Sequence, residues 1–126
     1  MFLRDLQADT TSLVSLNTNG GAGDGACYSP AISDDGRYVL FTSTADNLVP
    51  GSLGNSGGNL FWRDLQSGTN RAITSYSGST TVQAINAAMT PDGQRVAFSA
   101  QINYSTAAFY VWDAVSNSII YTNTAS

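Results

Sequence analysis

Apolar residues in this chain fall in short runs that predict β-strands, and no window shows the spacing of an amphipathic helix. Residues 37–42 are rich in β-branched and aromatic residues and are apolar on both faces, and residues 95–99 are their counterpart later in the chain. Residues 60–62 and 109–112 are likewise apolar on both faces. Strands of this kind are typical of sheets covered on both sides, so we expect all four to be buried between layers.

Two kinds of turn separate the strands at corresponding places. Ser33-Asp34-Asp35-Gly36 and Thr90-Pro91-Asp92-Gly93 stand directly before the buried strands, and Asp-Gly supplies the backbone conformation that a tight hairpin needs. After the aromatic strands, Asp9, Gly68 and Asn117 occupy equivalent positions. Because Asp, Gly and Asn tolerate positive φ best, we predict positive φ at all three.

A repeated run of residues indicates that these strands belong to copies of one unit. Phe2-Leu3-Arg4-Asp5-Leu6-Gln7 returns as Phe61-Trp62-Arg63-Asp64-Leu65-Gln66, and Tyr110-Val111-Trp112-Asp113-Ala114 is a weaker third copy. A repeat spaced by about 50–60 residues is typical of a supersecondary unit that recurs along the chain.

Each complete unit is predicted to contain four strands. The first is rich in small residues, the second and third are the buried and aromatic strands, and a last strand closes the unit. The predicted first strands are residues 29–33 and 86–90, and the closing strands are 11–16, 71–76 and 118–122. Small residues suit a crowded position near an axis. Four-stranded antiparallel sheets that repeat radially form a β-propeller, so the predicted fold class is all-β.

The unit also resembles a known family. Residues 30–41, Pro-Ala-Ile-Ser-Asp-Asp-Gly-Arg-Tyr-Val-Leu-Phe, are similar to the TolB-like, WD-type propeller repeat, in which a Ser-Pro-Asp-Gly-(Arg/Lys) turn precedes an apolar strand. Residues 90–98 match it too, and residues 46–51 resemble the longer-looped blades of bacterial repeat proteins. The resemblance implies a propeller in a periplasmic or secreted bacterial protein. It implies no single function, because the family includes binding platforms, scaffolds and accessory domains of hydrolases.

The strand count does not close a ring. Residues 1–126 are expected to form one propeller segment, divided into a half blade (1–17) and two blades (27–76 and 84–126). About two and a half blades fall short of the roughly four to eight of closed propellers, and an open arc would expose apolar faces. The chain is therefore either a piece of a longer propeller or one of several copies that assemble. Two copies would bring two half blades of the same phase, which must pair in a non-standard way or be swapped. We predict concentration-dependent self-association.

Composition and charge argue against two classes of partner, nucleic acids and membranes. Only 11% of the 126 residues are charged, the net charge is −4, and the five cationic residues are all arginine. Nucleic-acid binding needs clustered positive charge, so no nucleic-acid partner is expected. No apolar run reaches the roughly 20 residues that span a bilayer, and no N-terminal leader pattern is visible, so no membrane association is expected.

The residues offer no catalytic constellation. The absence of histidine excludes Ser-His-Asp and Cys-His catalysis and His-ligated metal within this chain, so we expect no catalytic, cofactor-binding or metal-ligating residue and no cofactor. Cys27 has no second cysteine to pair with and is interpreted as a small buried apolar residue rather than a reactive thiol. The recurring Asp5, Asp64 and Asp113 are interpreted as structural, accepting hydrogen bonds from turn backbone or pairing with a neighbouring arginine. Arg4 and Arg63 receive the same structural interpretation.

Loops and exposed aromatics are the remaining candidates for binding. Gly20-Gly21-Ala22-Gly23-Asp24-Gly25 comes near a calcium repeat, but its aspartate stands one residue early and the motif is single, so a flexible inter-blade loop is favoured. Residues 44–59 are interpreted as a tolerated surface insertion, with ligand binding as the alternative. Tyr28, Tyr76 and Tyr104 would supply contacts to a protein ligand if exposed. Asn103-Tyr104-Ser105 is a lone glycosylation sequon and carries little weight.

Two classes of function follow. The favoured one is a non-enzymatic propeller segment that binds a protein or acts as a scaffold, and that completes its ring by self-assembly or with the blades of a longer chain. The alternative is a fragment of the propeller of a larger secreted or periplasmic hydrolase. A third interpretation is a chain that was made or excised to test how partial propellers assemble, with no biological activity of its own. The binding residues and the ligand are not identified by the sequence.

Overall fold

The computed structural model describes residues 1–51, 53, 58–74, 82–102 and 107–124. Within these residues the chain forms ten antiparallel strands. The strands are β1 (Phe2–Asp5), β2 (Thr10–Leu13), β3 (Cys27–Ile32), β4 (Tyr38–Ser43), β5 (Asn59–Asp64), β6 (Thr69–Ala72), β7 (Val82–Met89), β8 (Arg95–Ile102), β9 (Ala107–Asp113) and β10 (Ser118–Thr124). They form a two-stranded sheet, β1-β2, and two four-stranded sheets, β3-β4-β5-β6 and β7-β8-β9-β10. The predicted all-β architecture of four-stranded antiparallel blades, left unclosed, is confirmed.

Strand ends differ from the predicted ones where the backbone departs from a regular ladder. The first strand of the middle sheet begins at Cys27, before the predicted start, because a bulge between Tyr28 and Ala31 lets pairing with β4 continue past the irregularity. Ser29 takes a φ of 56° in that bulge. The first closing strand ends at Leu13, since the following residues turn back to pair at Leu16 with Ala22.

The predicted turn conformations are confirmed at every position that the sequence singled out. Asp9, Gly68 and Asn117 have φ values of 55°, 71° and 50°. Gly36 and Gly93, which end the Asp-Gly turns, have φ values of 74° and 73°. Three different residues therefore adopt the same positive-φ conformation at the corresponding point of each repeat.

The core lies on the two faces of the middle sheet. One face packs against the β7–β10 sheet through Leu40 and Trp62, which meet Val96, Phe98 and Trp112. The opposite face packs against the β1-β2 hairpin. Its buried members are Val14, Val39, Phe41, Ala45, Leu48 and Phe61. Strands β4 and β5 are almost wholly buried, as their apolar character on both faces predicts.

The β7–β10 sheet departs from this expectation, because only one of its faces is covered. Val96 and Phe98 are buried on the inner face, whereas Phe109 is 44% exposed and Tyr121 is 54% exposed on the outer face. The prediction that residues 109–112 lie between two layers is wrong for this strand. Its apolar outer face has no sheet packed against it within the described residues.

Candidate functional site

The recurring aspartates close the turn that follows each aromatic strand. Asp5 accepts hydrogen bonds from the backbone N–H groups of Gln7 and Ala8 at 2.9 and 3.0 Å. Asp113 accepts one from the backbone of Ser116 at 2.9 Å. The predicted hydrogen bonds from turn backbone to these carboxylates are therefore present in the first and third repeats.

Asp64 carries the strongest polar contact of the three. Its two oxygens accept hydrogen bonds from Nε and Nη2 of Arg37 at 3.0 and 2.8 Å, and Oδ1 also accepts one from the backbone N–H of Gln66. The Arg37 guanidinium, more than any other contact, holds the pKa of Asp64 far below its usual range. The partner is therefore Arg37, which directly precedes β4, whereas the adjacent Arg63 makes no ion pair within the described residues.

Residues 17–25 form a hydrogen-bonded loop between the half blade and the middle blade, at the inter-blade position that the sequence predicted. The Asn17 side chain accepts hydrogen bonds from the backbone of Asn19 and Gly21 and donates one to the Ala22 carbonyl. A Cβ atom at position 25 would overlap the backbone of Ala45. Close approach of two loops, rather than flexibility, explains glycine at this position.

The first part of the 44–59 stretch is also more than a surface insertion. Ala45 and Leu48 are buried in the core beside the β1-β2 hairpin. The backbone of Asn47 accepts a hydrogen bond from Thr18, and Leu48 accepts one from Asn70. Residues 52 and 54–57 of this stretch lie outside the described residues.

The remaining candidates from the sequence are one cysteine, three tyrosines and a glycosylation sequon. Cys27 is partly buried, and its Sγ atom contacts Ser43 Oγ at 3.3 Å. The Tyr28 side chain is 41% exposed, as the hypothesis of a contact surface requires. Tyr76, Tyr104 and the sequon at Asn103 lie outside the described residues.

An apolar cavity lies at the open edge of the half blade. Its volume is about 260 Å³, and it is lined by Met1, Phe2, Leu3, Val14, Pro30, Ala31, Ile32 and Val39. β1 pairs only with β2, so its other edge has no strand beside it in the described chain. A complete blade would place its first two strands on that edge. The cavity thus lies where those two strands would pack, and the outer face of the β7–β10 sheet is at the far end of the arc. The sequence did not identify the residues of either surface as binding residues.

A second, more polar cavity lies between the half blade and the middle blade. Its volume is about 420 Å³, and its lining residues are Leu16, Asn17, Thr18, Gly20, Leu48, Pro50, Arg63, Gly68, Thr69 and Asn70. Arg63 is only 6% exposed, and its Nη1 donates to the Gly68 carbonyl and to Asn70 Oδ1. Burial lowers the pKa of the Arg63 guanidinium from its usual value, with the nearby charge of Asp64 opposing that effect.

Metal and membrane signals are absent from the part of the chain that the structure describes. No group of three His, Cys, Asp or Glu side chains there is placed to hold a metal ion. None of the described residues forms a helix of the length and apolarity that crossing a membrane requires.

Comparison with known proteins gives the fold. The chain matches no protein-family model and no curated protein sequence. Among solved structures, it is similar to TolB from Acinetobacter baumannii, with a TM-score of 0.56 and 19% identity over 94% of this chain and 25% of TolB. It is also similar to a structure from a study of two prolyl endopeptidases, with a TM-score of 0.54 and 20% identity over 75% of this chain and 13% of that one. The chain therefore spans a quarter or less of the proteins it matches, and the likeness shows a segment of a β-propeller.

Proposed function

We propose that this propeller segment is a non-enzymatic protein-binding or scaffold module whose two ends join further blades. Those blades come from other copies of the chain or from the rest of a longer polypeptide. The observation that carries the proposal is the uncovered apolar outer face of the β7–β10 sheet. The absence of histidine supports the non-enzymatic part, since the common nucleophile–base pairs need one.

The outer face has the chemistry of an inter-blade surface. Phe109 and Tyr121 meet edge to face with ring centroids 6.3 Å apart. The strand register places Val111 and Ala97 beside them on the same face. The same kind of residue covers the inner face, where it packs against the middle blade. Soluble monomers rarely expose a contiguous apolar face of this type, and such a face usually marks an interaction site.

Self-association provides the test of this proposal. In light scattering at rising micromolar concentration, the chain is expected to show a mass above the 13.2 kDa of one copy. The double substitution Phe109→Ser and Tyr121→Ser is expected to return the mass to one copy, because it removes the apolar contact of the outer face. Val115→Ser is the matched control, since Val115 is 83% exposed but lies in the β9–β10 turn.

Two different results would contradict two different parts of the proposal. A mass of one copy for the unsubstituted chain at every concentration would contradict completion by self-assembly. An unchanged mass for the double variant would contradict the role of the outer face. A circular dichroism spectrum of each variant checks that the variant is folded, so that loss of structure is not mistaken for loss of association.

A second candidate is a fragment of the propeller of a larger hydrolase. The similarity to a structure from work on prolyl endopeptidases favours it, and that protein is much longer than this chain. The coding sequence that follows residue 126 distinguishes the two candidates. A downstream Gly-x-Ser-x-Gly strand–turn–helix motif would favour the hydrolase, because that motif presents the nucleophile of an α/β-hydrolase.

A further inference from the structure

Arg63 is a buried cation that forms no ion pair with any of the described residues. None of the aspartates lies within ion-pair distance of it, and all nine acidic side chains belong to the described part of the chain. Its Nε is buried with no hydrogen-bond partner. Burying an unpaired charge costs free energy, and an anion bound in the polar cavity beside Arg63 would offset that cost.

In the first repeat, the equivalent arginine pairs with a carboxylate of the chain itself. Arg4 stands at the position equivalent to Arg63, and Asp9 stands at the position equivalent to Gly68. In the β1-β2 hairpin, Arg4 Nη2 pairs with the Asp9 carboxylate, and Nη1 donates to Thr11 at 3.0 Å. In the β5-β6 hairpin, Nη1 of Arg63 donates to Asn70, the equivalent of Thr11, but Gly68 brings no carboxylate.

The space left by that missing carboxylate is part of the cavity. A Cβ built on Gly68 would lie 3.9 Å from Arg63 Nη2, which is an ordinary contact distance. Nη2 donates no hydrogen bond to any described residue, and both Gly68 and Arg63 line the 420 Å³ cavity. The cavity is therefore open at the point where Asp9 meets Arg4 in the first repeat.

We propose that the cavity between the half blade and the middle blade binds a carboxylate of a ligand, which takes beside Arg63 the place that Asp9 takes beside Arg4. The planar guanidinium of arginine matches a carboxylate in shape and charge. Thr18 and Thr69 line the same cavity, and their hydroxyl groups are further potential donors. This site is complete within the described residues, so it does not depend on how the ring is closed.

The contrast in burial explains why the second site, rather than the first, suits a ligand. The Arg4 and Asp9 side chains are 49% and 86% exposed, so water screens their pair. Arg63 is more than nine-tenths buried, and an anion that reaches it gains more from the same charge. The ligand is either a small carboxylic acid or the carboxylate of a peptide C-terminus.

The test uses acetate as the probe and acetamide as its uncharged match. At constant ionic strength, acetate titration is expected to give saturable NMR shifts at the Arg63 Nε–H and at the amides of Gly68 and Thr69. Acetamide is expected to give none. Comparing N-acetylglycine with acetate distinguishes the two sources, because tighter binding of N-acetylglycine points to a peptide terminus and equal or weaker binding to a small acid.

Two substitutions make the test independent of the probe. Gly68→Asp restores the arrangement of the first repeat and is expected to weaken acetate binding by about tenfold or more. Asp9 adopts a φ of 55° at the equivalent position, so an aspartate can occupy this turn, and the backbone strain of a φ of 71° at position 68 is common to the two variants compared below. Gly68→Asn has the same size without the charge. We expect Gly68→Asp to melt at a higher temperature than Gly68→Asn at neutral pH, with the difference lost below the pKa of the new carboxyl.

The proposal is overturned by any of three results. One is an acetate response that does not saturate or that acetamide reproduces. Another is equal acetate affinity in the original chain and in Gly68→Asp. The third is equal melting temperature of Gly68→Asp and Gly68→Asn at neutral pH, because it would mean that Arg63 does not respond to a carboxylate at this point. None of these results bears on self-association of the two ends, so failure of this site and failure of the proposed function are distinguishable.

Discussion

Replacing Trp62 by alanine is expected to lower the free energy of unfolding by about 3–5 kcal/mol, the largest effect of any single substitution considered. The Trp62 ring stacks on Tyr38 with centroids 4.8 Å apart and meets Trp112 edge to face at 5.5 Å. Its indole N–H donates to the Gly93 carbonyl at 2.8 Å. One side chain thus joins the middle sheet to the β7–β10 sheet, and alanine would leave a cavity between them.

The measurement is chemical denaturation followed by circular dichroism, with two comparison variants. Trp62→Phe keeps the aromatic contact and loses the hydrogen bond to Gly93, so we expect a smaller loss, on the order of 1–2 kcal/mol. Phe109→Ala removes a half-exposed ring from the outer face and is expected to cost less than Trp62→Ala. Similar losses for Trp62→Ala and Phe109→Ala would contradict the position of Trp62 at the centre of the blade interface.

Replacing Asp64 by asparagine is expected to lower stability by about 2 kcal/mol at neutral pH, since it removes a charge that Arg37 and turn backbone groups bind. The loss should depend on pH. The pKa of Asp64 is depressed in the folded chain, so its contribution is fully present above the unfolded value of about 3.9 and is lost as pH falls below it. The difference between the original chain and Asp64→Asn should therefore shrink in acid.

Asp113→Asn is the matched control for this prediction. Asp113 holds the equivalent place in the third repeat, but its ion-pair distance to Arg95 is 3.6 Å and the Arg95 side chain is 61% exposed. Solvent weakens such a pair, so its loss should be smaller than that of Asp64→Asn. Urea denaturation of both variants between pH 7 and acid provides the comparison. An Asp64→Asn defect that stays constant with pH would contradict the role of the charge.

The repeat pattern was enough to predict the strands, their order and their turns. The Asp-Gly turns and the positive φ at Asp9, Gly68 and Asn117 depend on local backbone sterics, which side chains two or three residues away do not alter. The structural role of Asp5, Asp64 and Asp113 was predictable for the same reason, since an aspartate that closes its own turn needs only neighbours in sequence.

Contacts between distant residues were not predictable in detail. The sequence placed Arg63 beside Asp64, but the carboxylate pairs with Arg37 because neighbouring side chains on a strand point to opposite faces. The burial of Leu48 in an irregular stretch and the close approach of Gly25 to Ala45 depend on how two loops meet. One signal was readable in advance: aspartate at position 9 and glycine at position 68 leave one of two equivalent arginines without its partner.

The sequence by itself determined the fold class, the four-stranded unit and the turn geometry, because short apolar runs and backbone sterics act over a few residues. Only the tertiary structure decided which apolar faces are covered, because coverage depends on what packs against a sheet and not on the strand itself. Residues 40 and 109 are both apolar strand positions, yet Leu40 is buried between two sheets and Phe109 is exposed to solvent. The same reason hid the charge of Arg63, whose desolvation results from the meeting of two blades.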